Sequence, residues 1–262
     1  MEIDRTPEPE YYVRLMDRAR GGREDEPEQY GAVFDLLEVD GGGRFLDVGC
    51  GTGGTARALA KRMGGAGAVV GVDNSETMVG EARRRSEGSQ LPVEFHVADA
   101  HELPFADASF DGAYSLRVFE IIGEPRRALS EMARVMRPGA RLVINAPDID
   151  MWAFDSSDRE VTRKVLHYVC DYETNGWIGR QLPAMCQGVG LRDVKLIPAF
   201  NVVTEFDLVY ELCLEYFVTR AEGAGAVSAE EVARWLEDLR RRDRRGEFLC
   251  TQMLFRIFAR KP

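Results

Sequence analysis

Arg44-Phe-Leu-Asp-Val-Gly-Cys-Gly-Thr-Gly-Gly-Thr55 is the stretch that decides the fold. Phe45, Leu46 and Val48 read as a short buried strand, and Gly49, Gly51, Gly53 and Gly54 crowd the turn that follows it. Glycine takes φ > 0 without a Cβ clash and lets the backbone approach a ligand closely. From Thr55 onward the chain is a run of helix formers, with Thr52 or Thr55 positioned to cap the first turn. Strand, glycine loop and helix start together form the nucleotide-binding corner of a doubly wound α/β sheet.

The spacing Gly49, Gly51, Gly54 satisfies G-x-G-x-x-G, so a dinucleotide is the first ligand to weigh. Asp47 argues against it, because a carboxylate beside the loop suits a cationic amine better than a pyrophosphate. The next apolar run, 68–73, ends in Asp73, and an acid there suits a ribose diol in any nucleoside cofactor. A third strand alternates through 92–97, and Asp99 lies just past its end. Residues 110–116 supply a fourth strand, and 125–136 a helix with Pro125 at its start and Pro138-Gly139 beyond its end.

These motifs resemble those of the class I S-adenosylmethionine (SAM) methyltransferases, of the type that acts in ubiquinone and menaquinone biosynthesis. Asp47, Gly49, Gly51 and Gly53 fill the family's Asp/Glu-x-Gly-x-Gly-x-Gly phrase, and Asp73-Asn-Ser-Glu-Thr-Met78 its Asp-x-Ser-x-x-Met. Asp99-Ala-His-Glu-Leu-Pro-Phe-Ala-Asp-Ala-Ser-Phe-Asp111 resembles its D-A-x-x-L-P-F-x-D-x-S-F-D phrase. Arg134-Val-Met-Arg-Pro-Gly-Ala140 resembles the turn into its fifth strand. The resemblance implies that the loop at Asp47, Gly49, Cys50, Gly51 and Gly53 holds the methionine part of SAM. It implies that Asp73 and Asn74 meet the ribose, that Met78, Asp99 and Ala100 meet the adenine, and that Tyr11 and Arg117 complete the cofactor site. The implied fold is α/β: a doubly wound, mostly parallel seven-stranded sheet with helical lid insertions, in a single domain over 1–262. Within it, 1–30 is an N-terminal lid segment, 31–147 the SAM-binding core, and 148–190 and 200–245 lid or substrate-side helical segments.

Where the family often carries histidines after the fourth strand, this chain has Glu120 and Ile121. A base for a hydroxyl acceptor is therefore sought at Glu120, or at His167 in the lid, with Asp171 one turn on to orient its ring. His96 and His101 flank the adenine-side loop and read as structural. Past Ala146 the sequence is acidic and aromatic, with Trp152, Phe154, Tyr168 and Tyr172, and Ser157 is placed to cap a helix. Further helices are expected at about 206–219 and 228–242, a sixth strand at about 193–198 and a closing strand at 247–259, forming an antiparallel hairpin.

Composition narrows the partners. With 34 basic and 44 acidic residues the net charge is −10, which disfavours nucleic acid. The run Arg240, Arg241, Arg242, Arg244, Arg245 reads as a solvated helix end, where cations suit the dipole. Five scattered cysteines with no C-x-x-C pair, together with three histidines, give no metal set and suggest a reducing, cytoplasmic location. No apolar run reaches membrane-spanning length. The expected partner is a small-molecule methyl acceptor, and homodimer formation is left open. An NAD-dependent oxidoreductase and a SAM-fold protein that does not methylate, such as a cyclase, remain the alternatives.

Overall fold

A computed structural model describes residues 3–19, 30–172 and 175–262. The expected N-terminal lid lies partly outside the described residues, at 1–2 and 20–29. Contacts divide the chain into two units. The first comprises Met1–Asn145, Gln181–Ile197 and Arg256–Pro262; the second comprises Ala146–Arg180 and Pro198–Phe255.

The first unit is built on parallel strands β1 (Gly43–Val48), β2 (Gly67–Asp73), β3 (Val93–Val97), β4 (Phe110–Leu116) and β5 (Met136–Pro147), the last running on into the second unit. Their order is β3-β2-β1-β4-β5, so the chain reverses direction across the sheet between β1 and β4. In such sheets ligands bind beyond the C-terminal strand ends at that reversal. Both faces of β1 are covered, hence its near-continuous apolar run; Leu46 and Val48 are at most 1% exposed. Helices α1 (Pro9–Ala19), α2 (Gly31–Leu37), α3 (Gly54–Arg62), α4 (Glu76–Ser86) and α5 (Pro125–Val135) belong to this unit. Phe34, Phe45, Leu59, Val69 and Tyr114 form part of one core, each enclosed side chain contributing about 1.5–3 kcal/mol.

The start of the chain is tied to α4 by charge. Asp4 accepts hydrogen bonds from Ser75 Oγ (2.6 Å) and from the N–H groups of Glu76 (2.6 Å) and Thr77 (3.3 Å). Asp17 of α1 pairs with Arg85 at 2.6 Å. Ser75 caps α4 as its position in the sequence implies, accepting from Met78 N–H at 3.2 Å. Helix α3 departs from expectation: neither Thr52 nor Thr55 caps it, and Gly53, at φ +76°, is the residue before its first turn.

The second unit carries α6 (Arg159–Tyr172), α8 (Phe206–Val209), a π-helical turn at Tyr210–Leu214, α9 (Glu215–Gly223) and α10 (Ala229–Asp243). Helix α7 (Ile178–Gly188) and strand β7 (Arg192–Val203) cross between the units. A two-residue strand, β6 (Ala153–Phe154), pairs antiparallel with the start of β8 (Cys250–Arg260), and β7 also pairs with β8. Among the described residues the sheet therefore has eight strands rather than seven; β6 is too short to leave a period in the sequence. Trp235, Phe206, Phe217 and Val165 centre a separate core, inside which Trp235 Nε1 donates to Thr162 Oγ1 at 2.9 Å. Ser228 and Glu231 form a reciprocal cap on α10, worth about 0.5–2 kcal/mol. The cap of α6 is Asp158 rather than Ser157: Asp158 Oδ1 accepts from Val161 N–H at 3.0 Å, while Ser157 N–H donates to Asp238 at 2.9 Å.

Candidate active site

The glycine loop is folded by its own backbone. Gly49 and Cys50 both donate N–H to Val72 O, at 2.8 and 2.9 Å, which ties the turn after β1 to β2. Gly49, Gly51 and Gly53 all have φ > 0, yet they face different surroundings. A Cβ on Gly49 would lie 2.2 Å from Val118 Cγ2, and one on Gly53 would lie 2.6 Å from the Phe95 ring. A Cβ on Gly51 would meet no atom within 4 Å. Gly49 and Gly53 are thus small because protein fills their space, whereas Gly51 borders open space. Cys50 is 3% exposed, with its side chain in the core and its N–H bonded to Val72 O.

Three acids end three neighbouring strands. Asp47, the penultimate residue of β1, is 2% exposed and stands in register with Tyr114 of β4. Burial, reinforced by the Asp47 carboxylate, pushes the Tyr114 hydroxyl well above the usual tyrosine range. Tyr114 left no signal in the sequence beyond being an aromatic residue in a strand. Asp73 closes β2: its Oδ2 accepts from Gly51 N–H at 2.9 Å and its Oδ1 from Ser75 N–H at 3.1 Å. Burial raises its pKa, opposed by those two donors. Asp99 lies two residues past β3; its Oδ1 accepts from His101 N–H at 2.9 Å and lies 2.6 Å from His101 Nδ1. The His101 N–H, with the ring beside it, holds the Asp99 carboxyl below its ordinary value. His101 Nε2 is 2.6 Å from Gly123 O, so this histidine joins the loop after β3 to the loop after β4.

The remaining expected contacts differ in accessibility. Asn74 and Asp99 are exposed and Ala100 is half-buried. Met78 is already enclosed by protein at 1% exposure, as a core methionine would be. Tyr11, on α1, packs edge-on against Tyr12 with ring centroids 5.5 Å apart. Arg117 occupies the left-handed region at φ +63°, with its N–H bonded to Asn145 O at 2.9 Å. Strain of this kind, of order 1–3 kcal/mol, persists only where surrounding structure enforces it. Arg117 Nε donates to Glu120 Oε1 at 2.7 Å. Glu120 is 7% exposed, and its Oε2 has no hydrogen-bond partner among the described residues. Val118, which packs on Gly49, belongs to the same loop and so sets Arg117 and Glu120 against the glycine turn.

His167 lies in the second unit, 60% exposed, with Nε2 at 3.7 Å from Asp150 Oδ1. Asp150, and not Asp171, is the acid paired with it; the chain turn at 149–151 brings Asp150 alongside, which helical spacing alone does not show. His96 is half-buried and 3.6 Å from Glu94. No group of three or more His, Cys, Asp and Glu side chains suited to a metal ion occurs among the described residues. Nor is any helix among the described residues long and apolar enough to cross a membrane.

Residues 46–144 match the family described as Methyltransferase domain. An uncharacterized 37.1 kDa protein in transposon TN4556 of Streptomyces fradiae is 37% identical, over 87% of this chain and 65% of that protein. An O-methyltransferase of Penicillium expansum is 44% identical over 39% of this chain and 37% of its own length. The chain thus spans less than two thirds of either relative. Among solved structures, a SAM-dependent methyltransferase from Aquifex aeolicus shares the fold, with a TM-score of 0.55 and 20% identity over 95% of this chain and 98% of that one. The stretch 46–144 that matches the Methyltransferase domain family contains the glycine loop and the strand-end acids Asp47, Asp73 and Asp99.

Proposed function

We propose that the chain transfers the methyl group of SAM to a hydroxyl group of a small-molecule acceptor. The observation that carries this reading is the row of acids at the ends of β1, β2 and β3, which are neighbours in the sheet. Strands lie about 4.8 Å apart, so β1 and β3 run about 10 Å apart with β2 between them. SAM presents an ammonium group, a ribose diol and an adenine in that same order. The open space beside Gly51, whose N–H is fixed on Asp73, supports close passage of a ligand over the loop. The residues present therefore suit the cofactor: Asp47 for the amine, Asp73 for the diol, and Asp99 with Ala100 for the adenine edge. An NAD pyrophosphate suits the same row less well, because it would meet Asp47.

Bound SAM supplies an electrophilic methyl group on a sulfonium centre. The chain's own task is to orient the acceptor and accept its proton. Glu120 takes that proton on Oε2, the buried oxygen that Arg117 leaves without a hydrogen bond, while Arg117 holds Oε1 and fixes the carboxylate's orientation. The loop geometry supports this role, since the bond from Arg117 N–H to Asn145 O and the contact of Val118 with Gly49 leave it little freedom. The test is turnover of a panel of hydroxyl acceptors with methyl-labelled SAM, wild type against Glu120→Gln. The variant should lose about 10²–10⁴-fold in kcat with affinity for S-adenosylhomocysteine kept. Turnover within a few-fold of wild type would remove Glu120 from the mechanism. Failure of the wild type to bind S-adenosylhomocysteine would overturn the cofactor assignment itself.

A further inference from the structure

The second unit contains a cavity of about 350 Å³ that the methyl-transfer reading does not use. It is lined by Trp152, Phe154 and Leu166 on its apolar side and by Arg159, Arg163 and His167 on its basic side, with Asp150 at one end. The three basic residues recur every fourth position along α6, so they form one stripe on the helix. Neither arginine has a carboxylate partner among the described residues. The neighbouring cation, Lys164, behaves oppositely: it lies 2.9 Å from both Glu160 and Glu231.

Two unpaired guanidinium groups one turn apart repel each other. They also sit in the N-terminal half of α6, where the helix dipole disfavours positive charge. In a chain of net charge −10, carboxylates to neutralise them are plentiful, yet among the described residues none pairs with either arginine. Asp150 is held by Arg180 at 3.3 Å and lies 3.7 Å from His167, at the far end of the stripe from Arg159. Trp152 adds an independent observation. Its side chain is buried, and its Nε1 has no acceptor among the described residues.

We propose that this cavity binds a small planar ligand bearing a carboxylate or phosphate. Arg159 and Arg163 hold the anion, and Trp152 and Phe154 cover its apolar body. Guanidinium groups match the oxygens of either anion with two parallel hydrogen bonds, and aromatic side chains cover a planar ring. A cavity of this volume takes a ligand of the size of a substituted benzene.

The experiment is calorimetric titration of the full chain with benzoate, phenyl phosphate and the neutral benzyl alcohol at low and moderate salt. At least one of the two anions should bind ten-fold or more tightly than benzyl alcohol, and that preference should shrink as salt rises. The ratio between the two anions identifies which group the arginines accept. Arg159→Gln with Arg163→Gln should abolish the preference, whereas Lys164→Gln, which removes one positive charge from a paired position on the same helix, should keep it. Thermal unfolding of each variant without ligand checks folding, and removal of the two mutually repelling arginines should not lower Tm. Equal binding of the anions and the alcohol by wild type, or an unchanged preference in the double variant, would overturn the proposal. Because these titrations contain neither SAM nor S-adenosylhomocysteine, their failure is distinct from failure of the methyl-transfer reading.

Discussion

Replacing Gly51 by alanine separates the binding role of the glycine loop from its structural one. At φ +53° an alanine pays about 1–2 kcal/mol of left-handed strain. No packing cost is added, since its Cβ meets nothing within 4 Å. At about 2–4 °C per kcal/mol, Tm should fall by about 2–8 °C. The same change at Gly49 or Gly53 pays similar strain and also drives a Cβ to 2.2 Å from Val118 or 2.6 Å from Phe95. Overpacking of that kind adds about 1–3 kcal/mol, giving about 2–5 kcal/mol in all. For binding the expectation reverses. A methyl group set into the cofactor's space at Gly51 should weaken S-adenosylhomocysteine by about 1–3 kcal/mol, roughly 5–150-fold. Urea unfolding of the three variants, with calorimetric titration of those that stay folded, reads both quantities. The reasoning is refuted if Gly51→Ala binds S-adenosylhomocysteine like wild type, or if it destabilises the fold as much as Gly49→Ala.

Asp73→Ala should weaken SAM binding by about 1.5–3 kcal/mol, the range for hydrogen bonds to a charged group; an unchanged calorimetric Kd would detach β2 from the cofactor site. Arg180→Leu should cost about 3–5 kcal/mol in urea unfolding, because it leaves Asp148, 0% exposed, without the guanidinium that lies 2.6 Å from its Oδ1. A loss below 1 kcal/mol would mean that the pair contributes little. Arg84, with Arg85 beside it, holds the Glu81 carboxyl down to about 2 from an ordinary 4.5. A carboxyl depressed by folding stabilises fully above its unfolded pKa and progressively less as pH falls toward the folded one. Glu81→Gln should therefore flatten the loss of stability between pH about 4.5 and 2, and superimposable acid limbs would exclude this pair as a contributor.

What the sequence disclosed follows the range of the interactions involved. The strands from β1 to β5 and the cap at Ser75 are local patterns, and they lie where periodicity and residue type put them. The positions of Asp47, Asp73 and Asp99 at strand ends were legible for the same reason. The cap of α3 was not, because Gly53 at φ +76° precedes that helix's first turn and no side chain caps it. Asp158 displaced Ser157 because Asp238, 81 residues away, claims the Ser157 N–H. The partner of His167 was misread for a similar reason: Asp150 reaches it across a chain turn, whereas Asp171 is its neighbour only in sequence. Tyr114 beside Asp47, and the commitment of His101 to Gly123 O, depend on strand order and loop meeting loop, which no spacing rule encodes.

The free side of β5 is closed late. Gly139 N–H donates to Lys261 O, Lys261 N–H donates to Ala140 O, and Lys261 Nζ reaches Met136 O across 125 positions of sequence. During synthesis at about 5–20 residues per second, β5 would emerge and then wait roughly 6–25 s for that partner. Throughout that interval a row of backbone N–H and C=O groups on β5 lacks this partner, the situation in which nascent sheets pair with the wrong chain. Strands β1 to β4 are translated first, yet the sheet that carries them is sealed only by residues made after the whole of the second unit. Yield of intact protein in a cell should therefore depend on chaperone supply more steeply than the equilibrium stability of the finished fold suggests.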